Sequence, residues 1–243
     1  MNTPTMNTPT MIYDQDILGE YLKLLNLTDD NETYAFMSLK RSKGNEIKIK
    51  SYVTHRECIH NHNHDKFIER VVNSSINHLY DEQSTLYLKP SPRCLRKAFA
   101  NFVKDSMETF VQNNDISPNA FFDSIQKSRA KSVLLTFDID FEGEALNNRS
   151  ESYKLLAGSV FDLVNEKSEK SDLSGKAFIV ETKGGCHLMV NPSIMSDFWF
   201  MQLITLIRSM SSYGMKLDRN GDIDSPIPGT YQRGFKVNLI RMF

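Results

Sequence analysis

The stretch Ser132–Phe141 constrains this chain more than any other. Its residues alternate: Leu135, Phe137, Ile139 and Phe141 fall on one side of an extended backbone, and Leu134, Thr136, Asp138 and Asp140 on the other. A side of four large apolar residues must be covered, so the segment reads as a core strand. Its other side then carries two carboxylates at i and i+2, held rigidly and close together. Two such anions repel unless a cation sits between them or water reaches them. Carboxylate oxygens suit Mg2+ and Mn2+. A divalent-metal site on Asp138 and Asp140 is therefore favoured over a solvated pair at a strand end.

The flanking patterns place this strand in a mixed architecture. Ile17, Leu18, Tyr21, Leu22 and Leu25 have helical spacing, predicting a helix over 14–27. Strands are expected at Tyr34–Leu39, Glu46–Val53 and Thr85–Lys89, and a helix through Phe67–Leu79. Another helix is expected from Ser91 as N-cap, with Pro92 in the first helical position. Its buried stripe would be Leu95, Phe99, Phe102, Val103 and Phe110. Gln126–Lys131 reads as a polar linker and Glu166–Ser174 as a loop. Ala177–Thr182 and Cys186–Val190 are strands joined at Lys183-Gly184-Gly185. Met195–Tyr213 is a helix with Trp199, Leu203, Leu206 and Met210 on one stripe, closed by Gly214 at C′. Gly234–Met242 reads as a final strand. This order predicts an α+β fold, a mixed or antiparallel sheet with flanking helices. It divides into a disordered tail (1–12, containing MNTPT twice), an N-terminal α/β region (13–125) and a catalytic-core region (126–243), the last two separable or continuous.

Bulk properties exclude some partners. The net charge of −1 over 243 residues gives no global attraction to polyanions, so a nucleic-acid contact needs local clustering. Arg93, Arg96 and Lys97 are the candidate nucleic-acid contacts, against the blander reading of a solvated helix face. Three dispersed cysteines point to reduced thiols and a cytoplasmic protein. No apolar run approaches the roughly 18 residues of a membrane span, and no leader peptide is evident.

Two further segments carry chemistry. In Glu181-Thr182-Lys183-Gly184-Gly185-Cys186-His187, the glycines permit close backbone approach and turn amides can cradle phosphate. His187 enters the next strand beside that turn, where it could donate to a phosphate or developing oxyanion. Taken alone, a hairpin followed by a core histidine explains the segment as well. Downstream, Asp222-Ile223-Asp224-Ser225-Pro226-Ile227-Pro228-Gly229 forms a rigid turning connection. Asp218, Asp222 and Asp224 are the candidate third carboxylates; Asp218 lies among Lys216, Arg219 and Asn220, which reads as a solvated loop after the helix. Cys58, His60, His62 and His64 form a separate tract that could take Zn2+, although their spacing is tighter than in ordered zinc sites.

The order of these motifs resembles the archaeo-eukaryotic primase and primase-polymerase superfamily. An h-D-h-D strand precedes Gly-Gly-x-His, then a hydrophobic-Asp pair before the last strand. The run Thr182-Lys183-Gly184-Gly185-Cys186-His187 is similar to the second motif of phage and plasmid members. The resemblance implies an RRM-like core, with Asp138, Asp140 and Asp224 as Mg2+ or Mn2+ ligands and His187 contacting the incoming nucleotide. Lys183, Gly184, Gly185 and Arg233 join His187 as nucleotide-binding candidates. The implied activity is template-directed nucleotidyl transfer. Its partners would be nucleoside triphosphates, a single-stranded template and a helicase or other replication subunit. A metal-dependent nuclease and a non-catalytic replication accessory protein are the competing classes.

Overall fold

The computed structural model describes residues 21–22, 25, 31–40, 52–59, 66, 69–70, 73, 84–117, 119–130, 134–165, 177–191 and 197–241. The strands in the first half are β1 (Glu32–Lys40), β2 (Tyr52–Ile59), β3 (Ser84–Leu88) and β4 (Arg93–Cys94). The second half carries β5 (Leu135–Phe141), β6 (Ala177–Glu181), β7 (Gly185–Val190), β8 (Met215–Gly221), β9 (Ser225–Pro226), β10 (Tyr231–Gln232), β11 (Phe235–Lys236) and β12 (Leu239–Arg241). The helices are α1 (Leu95–Asn113), α2 (Ala120–Lys127), α3 (Glu144–Asn147), α4 (Arg149–Asn165) and α5 (Asp197–Ser209), the last running into a 3-10 turn at Met210–Tyr213. The fold is α+β, as the alternating patterns predict. No helix among the described residues is long and apolar enough to cross a membrane.

Two antiparallel sheets stack face to face. Sheet I has the order β2-β1-β3-β9, with β4 pairing off β1. Sheet II has the order β12-β6-β7-β5-β8, so β5 lies between β7 and β8. The alternation of β5 decides what covers each face. Phe137, Ile139 and Phe141 pack with Tyr153, Leu156 and Val160 of α4 and Leu203, Ile204 and Ile207 of α5. The opposite face of sheet II meets sheet I through Phe178, Val180 and Met189 against Tyr34, Phe36, Leu86 and Leu88. The outer face of sheet I is covered by α2, where Arg56 of β2 pairs with Asp123 at 3.1 Å and lies over the Phe122 ring. Helices, sheet, sheet and helices thus form four layers, each burying the apolar side of the next.

Several boundaries move from the sequence reading for local reasons. The α1 helix begins at Leu95 with Cys94 as N-cap, because Arg93–Cys94 first pair with β1 and the Ser91 hydroxyl is taken by the Leu134 carbonyl. Its expected stripe is not buried. Ala98 and Ser106 face inward, Leu95 and Phe102 are half-buried, and Phe99, Val103 and Phe110 are exposed. Gln126–Lys131 is not a linker throughout, since α2 runs to Lys127 and Arg129 bridges to Arg93. The segment after the α5 helix is strand β8, not a solvated loop. The expected final strand Gly234–Met242 is divided between the β10–β11 hairpin and β12. Contacts cross the 125/126 boundary, because β9 completes sheet I beside β3. Gly214 closes α5 and its 3-10 turn in the left-handed region, as read from sequence. The tail 1–12 and most of the 14–27, Glu46–Val53 and Phe67–Leu79 segments lie outside the described residues, as does Glu166–Ser174.

The β5–β7 contact fixes the register of the whole site, and Gly185 makes it possible. A Cβ on Gly185 would collide with the Ile139 carbonyl oxygen and sit 2.9 Å from the Phe141 nitrogen, both immobile backbone. A Cβ on Gly184 would only touch an Asp140 carboxylate oxygen at 3.5 Å, an ordinary contact. Gly185→Ala should therefore lower stability by about 1–3 kcal/mol, as overpacking does, and Gly184→Ala by clearly less. Urea unfolding of the two variants checks this; equal losses would contradict it.

Candidate active site

Register brings the first two sequence motifs into contact. Asp138 on β5 pairs across the ladder with His187 on β7 and Arg219 on β8. Asp140 pairs likewise with Gly185 and Lys216. These side chains share the face of sheet II turned toward sheet I, at the end where the shared core gives way to solvent. His187 Nε2 lies 3.3 Å from Asp138 Oδ1. Arg219 donates to Asp138 Oδ2 at 2.9 Å and to Asp218 at 3.1 Å.

A bulge selects Arg219 for this place. The β5–β8 register slips between Asp138 and Ile139, so Asp218 is the extra residue and Arg219, not Asp218, faces Asp138. Of the three candidate third carboxylates, Asp218 therefore reaches the site only through Arg219.

Burial alone would raise the Asp138 carboxyl, but hydrogen bonds and charge from His187 and Arg219 outweigh it and hold the group below the usual carboxylate range. Asp138 is thus an anion that the fold has provided with partners.

His187 is held from both sheets. Its Nδ1 lies 3.2 Å from the Ser225 hydroxyl, on β9 of sheet I. Ser225, His187 and Asp138 form a chain of the kind hydrolases use. Ser225, however, has no exposed surface, its β9 backbone is paired with Leu88, and its hydroxyl also donates to the Pro226 carbonyl. A substrate carbonyl has no route to it, so Ser225 orients the imidazole and is no nucleophile. His187 itself is buried with both nitrogens engaged. It can face a phosphate only by giving up Asp138.

The Lys183–Gly184 turn joins β6 to β7. Neither residue has positive φ, so the turn is not one of the primed forms that match strand twist, and it is fastened from outside. Arg149 of α4 donates to the Thr182 and Lys183 carbonyls at 2.8 and 2.5 Å, its guanidinium lying over the Phe235 ring. The Gln232 side chain accepts the Lys183 N–H at 2.6 Å, and the Gly185 N–H goes to the Thr182 carbonyl. The expected phosphate cradle is therefore not preformed from these two amides. Lys183 and Arg233 do come together: Lys183 Nζ donates to the Arg233 carbonyl at 3.2 Å, within the β10–β11 turn where Arg233 and Gly234 have positive φ.

Asp224, the expected third ligand, pairs with Lys89 at 3.0 Å. Asp222 makes two 2.6 Å contacts with Arg93. Both carboxylates are neutralised by the connector between β3 and α1. Among the described residues, no three His, Cys, Asp or Glu side chains are placed to share an ion. Asp224 is thus held by Lys89, and the same segment sets Ser225 against His187. Arg93 has no exposed surface and is committed to Asp222, which removes it as a template contact. Arg96 and Lys97 are exposed on the first turn of α1. Cys58 lies half-buried on β2, and His60, His62 and His64 lie outside the described residues.

Arg219, Ser225 and Arg149 escaped the sequence reading. Ser225 sits beside Asp224, so the segment was legible but not the residue. Arg219 is hidden by the bulge, and Arg149 belongs to no motif. No family model matches the chain, and neither curated proteins nor solved structures give a match.

Because the folded-state Asp138 carboxyl is depressed, its stabilisation is present above the unfolded value near 4 and lost as pH falls through the folded value. Asp138→Asn should therefore be most destabilising relative to wild type at pH 6–7, about two units above that range. The gap should narrow steadily in acid. Denaturant unfolding across pH tests this, and a gap independent of pH would contradict it.

Proposed function

We propose that the chain is a template-directed nucleotidyltransferase of the primase-polymerase kind, working with Mg2+ or Mn2+. The observation that carries the reading is the cross-strand pairing of Asp138 with His187, which joins the h-D-h-D and Gly-Gly-x-His motifs at one point. The donor chemistry suits a hard cation: Asp138 is kept anionic, and Asp140 follows on the same face at the exposed end of β5. These two residues would hold the metal, which when bound would polarise phosphate oxygens and favour an attacking hydroxyl.

The remaining residues have roles of their own. Arg219 neutralises Asp138 in the free protein. Were Asp138 to hold a cation, the Arg219 guanidinium and His187 Nε2 would each be left as a donor suited to triphosphate oxygens. Ser225 holds Nδ1 and so fixes which way the ring points. Lys183 and Arg233, on adjoining turns, supply further positive charge. Arg96 and Lys97 are the exposed candidates for the template. Nucleoside triphosphates and a single-stranded template are the ligands this reading requires, with a helicase or another replication subunit as a partner.

One observation favours a second reading, a replication accessory protein without catalysis. Asp222 and Asp224 are both committed to cations of the fold, leaving two carboxylates where three are expected. A single assay separates the classes: single-stranded DNA, labelled nucleotides and Mn2+ or Mg2+, with products sized on a gel. Extended, metal-dependent products are expected, and Asp138→Ala or Asp140→Ala should reduce them at least about a hundredfold. Absence of product would support the accessory role, and shortened DNA a nuclease. Wild-type incorporation by either well-folded variant would overturn the metal role.

A further inference from the structure

The α1 helix presents an apolar face that the described residues leave uncovered. Phe99 is 60% exposed, Val103 40%, Met107 65%, Phe110 53% and Val111 80%. Their spacing of four, four, three and one places them on a single stripe, about 18 Å long at 1.5 Å per residue. Isolated exposed apolar residues are ordinary, but a continuous stripe marks a binding surface. The helix packs inward through Ala98 and Ser106, and Phe102 meets Phe121 of α2 edge to face. The exposed stripe is therefore additional to the packing that holds α1 in place.

We infer that this stripe binds the same stripe of a second copy, the two α1 helices running antiparallel. The distribution of charge selects that occupant. The N-terminal turn carries Arg96 and Lys97, the last turn has no basic residue, and Asp115 lies just beyond it. Antiparallel pairing about a twofold axis near Asp105 places Phe99 beside Val111 of the second copy and Val103 beside Met107. It also brings Arg96 and Lys97, for which a template would then compete, to the second copy's C-terminal carbonyls and Asp115, where cations are favoured. Lys104 and Glu108 occupy the same flank one turn apart, so each meets the opposite charge on the second copy and the axis makes two such pairs. Parallel pairing would set Arg96 against Arg96 and leave both C-terminal ends side by side without a cation. The contact is isologous, and it closes at two copies.

Light scattering and sedimentation of the full chain test this. The expected mass is twice 27.9 kDa at about 100 μM, dissociating on dilution. Val111→Asp and Met107→Asp should give monomers with unchanged circular dichroism, since both side chains are exposed. Lys104→Glu and Glu108→Lys should each weaken the dimer about tenfold or more, and the double variant should regain wild-type affinity. A wild-type monomer at all concentrations, as a template- or other-protein-binding face would give, overturns the proposal. So does a dimer indifferent to Val111→Asp and Met107→Asp, or a double variant as weak as the singles.

Discussion

The Asp138 carboxylate is the constraint around which this structure is arranged. It is an anion set between two packed sheets, with only 13% of its side chain exposed. A charge in that position must be paired, and its partners come from three directions: His187 from one neighbouring strand, Arg219 from the other, and Ser225 from sheet I through the imidazole. The two partners on neighbouring strands each depend on a local irregularity. His187 reaches Asp138 because Gly185 lets β7 approach the β5 backbone, and Arg219 because β8 bulges at Asp218.

The loop 222–226 shows how the same physics draws other carboxylates elsewhere. Arg93 is wholly buried, and leaving such a charge unpaired costs roughly 3–5 kcal/mol. Asp222 meets that need, and Asp224 pairs with Lys89 beside it. These ion pairs, with the β3–β9 bridge, tie the first half of the chain to the second. They also seat Ser225 under His187. The 222–226 loop thus acts as a clamp between the sheets.

Much of this was legible in the sequence, and the reasons for the rest are specific. Period-two alternation gave β5 and both its faces, because burial of four apolar residues leaves no other parity. Gly-Gly-x-His gave the β6–β7 turn and the location of His187. Local pattern could not give the bulge, since one extra residue leaves no compositional trace, and Arg219 consequently read as part of a loop. It also misjudged α1: an apolar stripe in sequence says that a face must be covered, not what covers it. The choice among Asp218, Asp222 and Asp224 required knowledge of where Lys89 and Arg93 lie, a long-range pairing no motif encodes.

On the proposed function, the face carrying Asp138 and Asp140 would receive a divalent cation in place of Arg219. Calorimetric titration of Mn2+ into the full chain, without nucleotide or DNA, measures this directly. Binding is expected to be lost in Asp138→Ala and tightened in Arg219→Gln, because the latter variant removes the cation with which Mn2+ competes. Wild-type protein that takes up no Mn2+, or uptake unchanged by both substitutions, would contradict it.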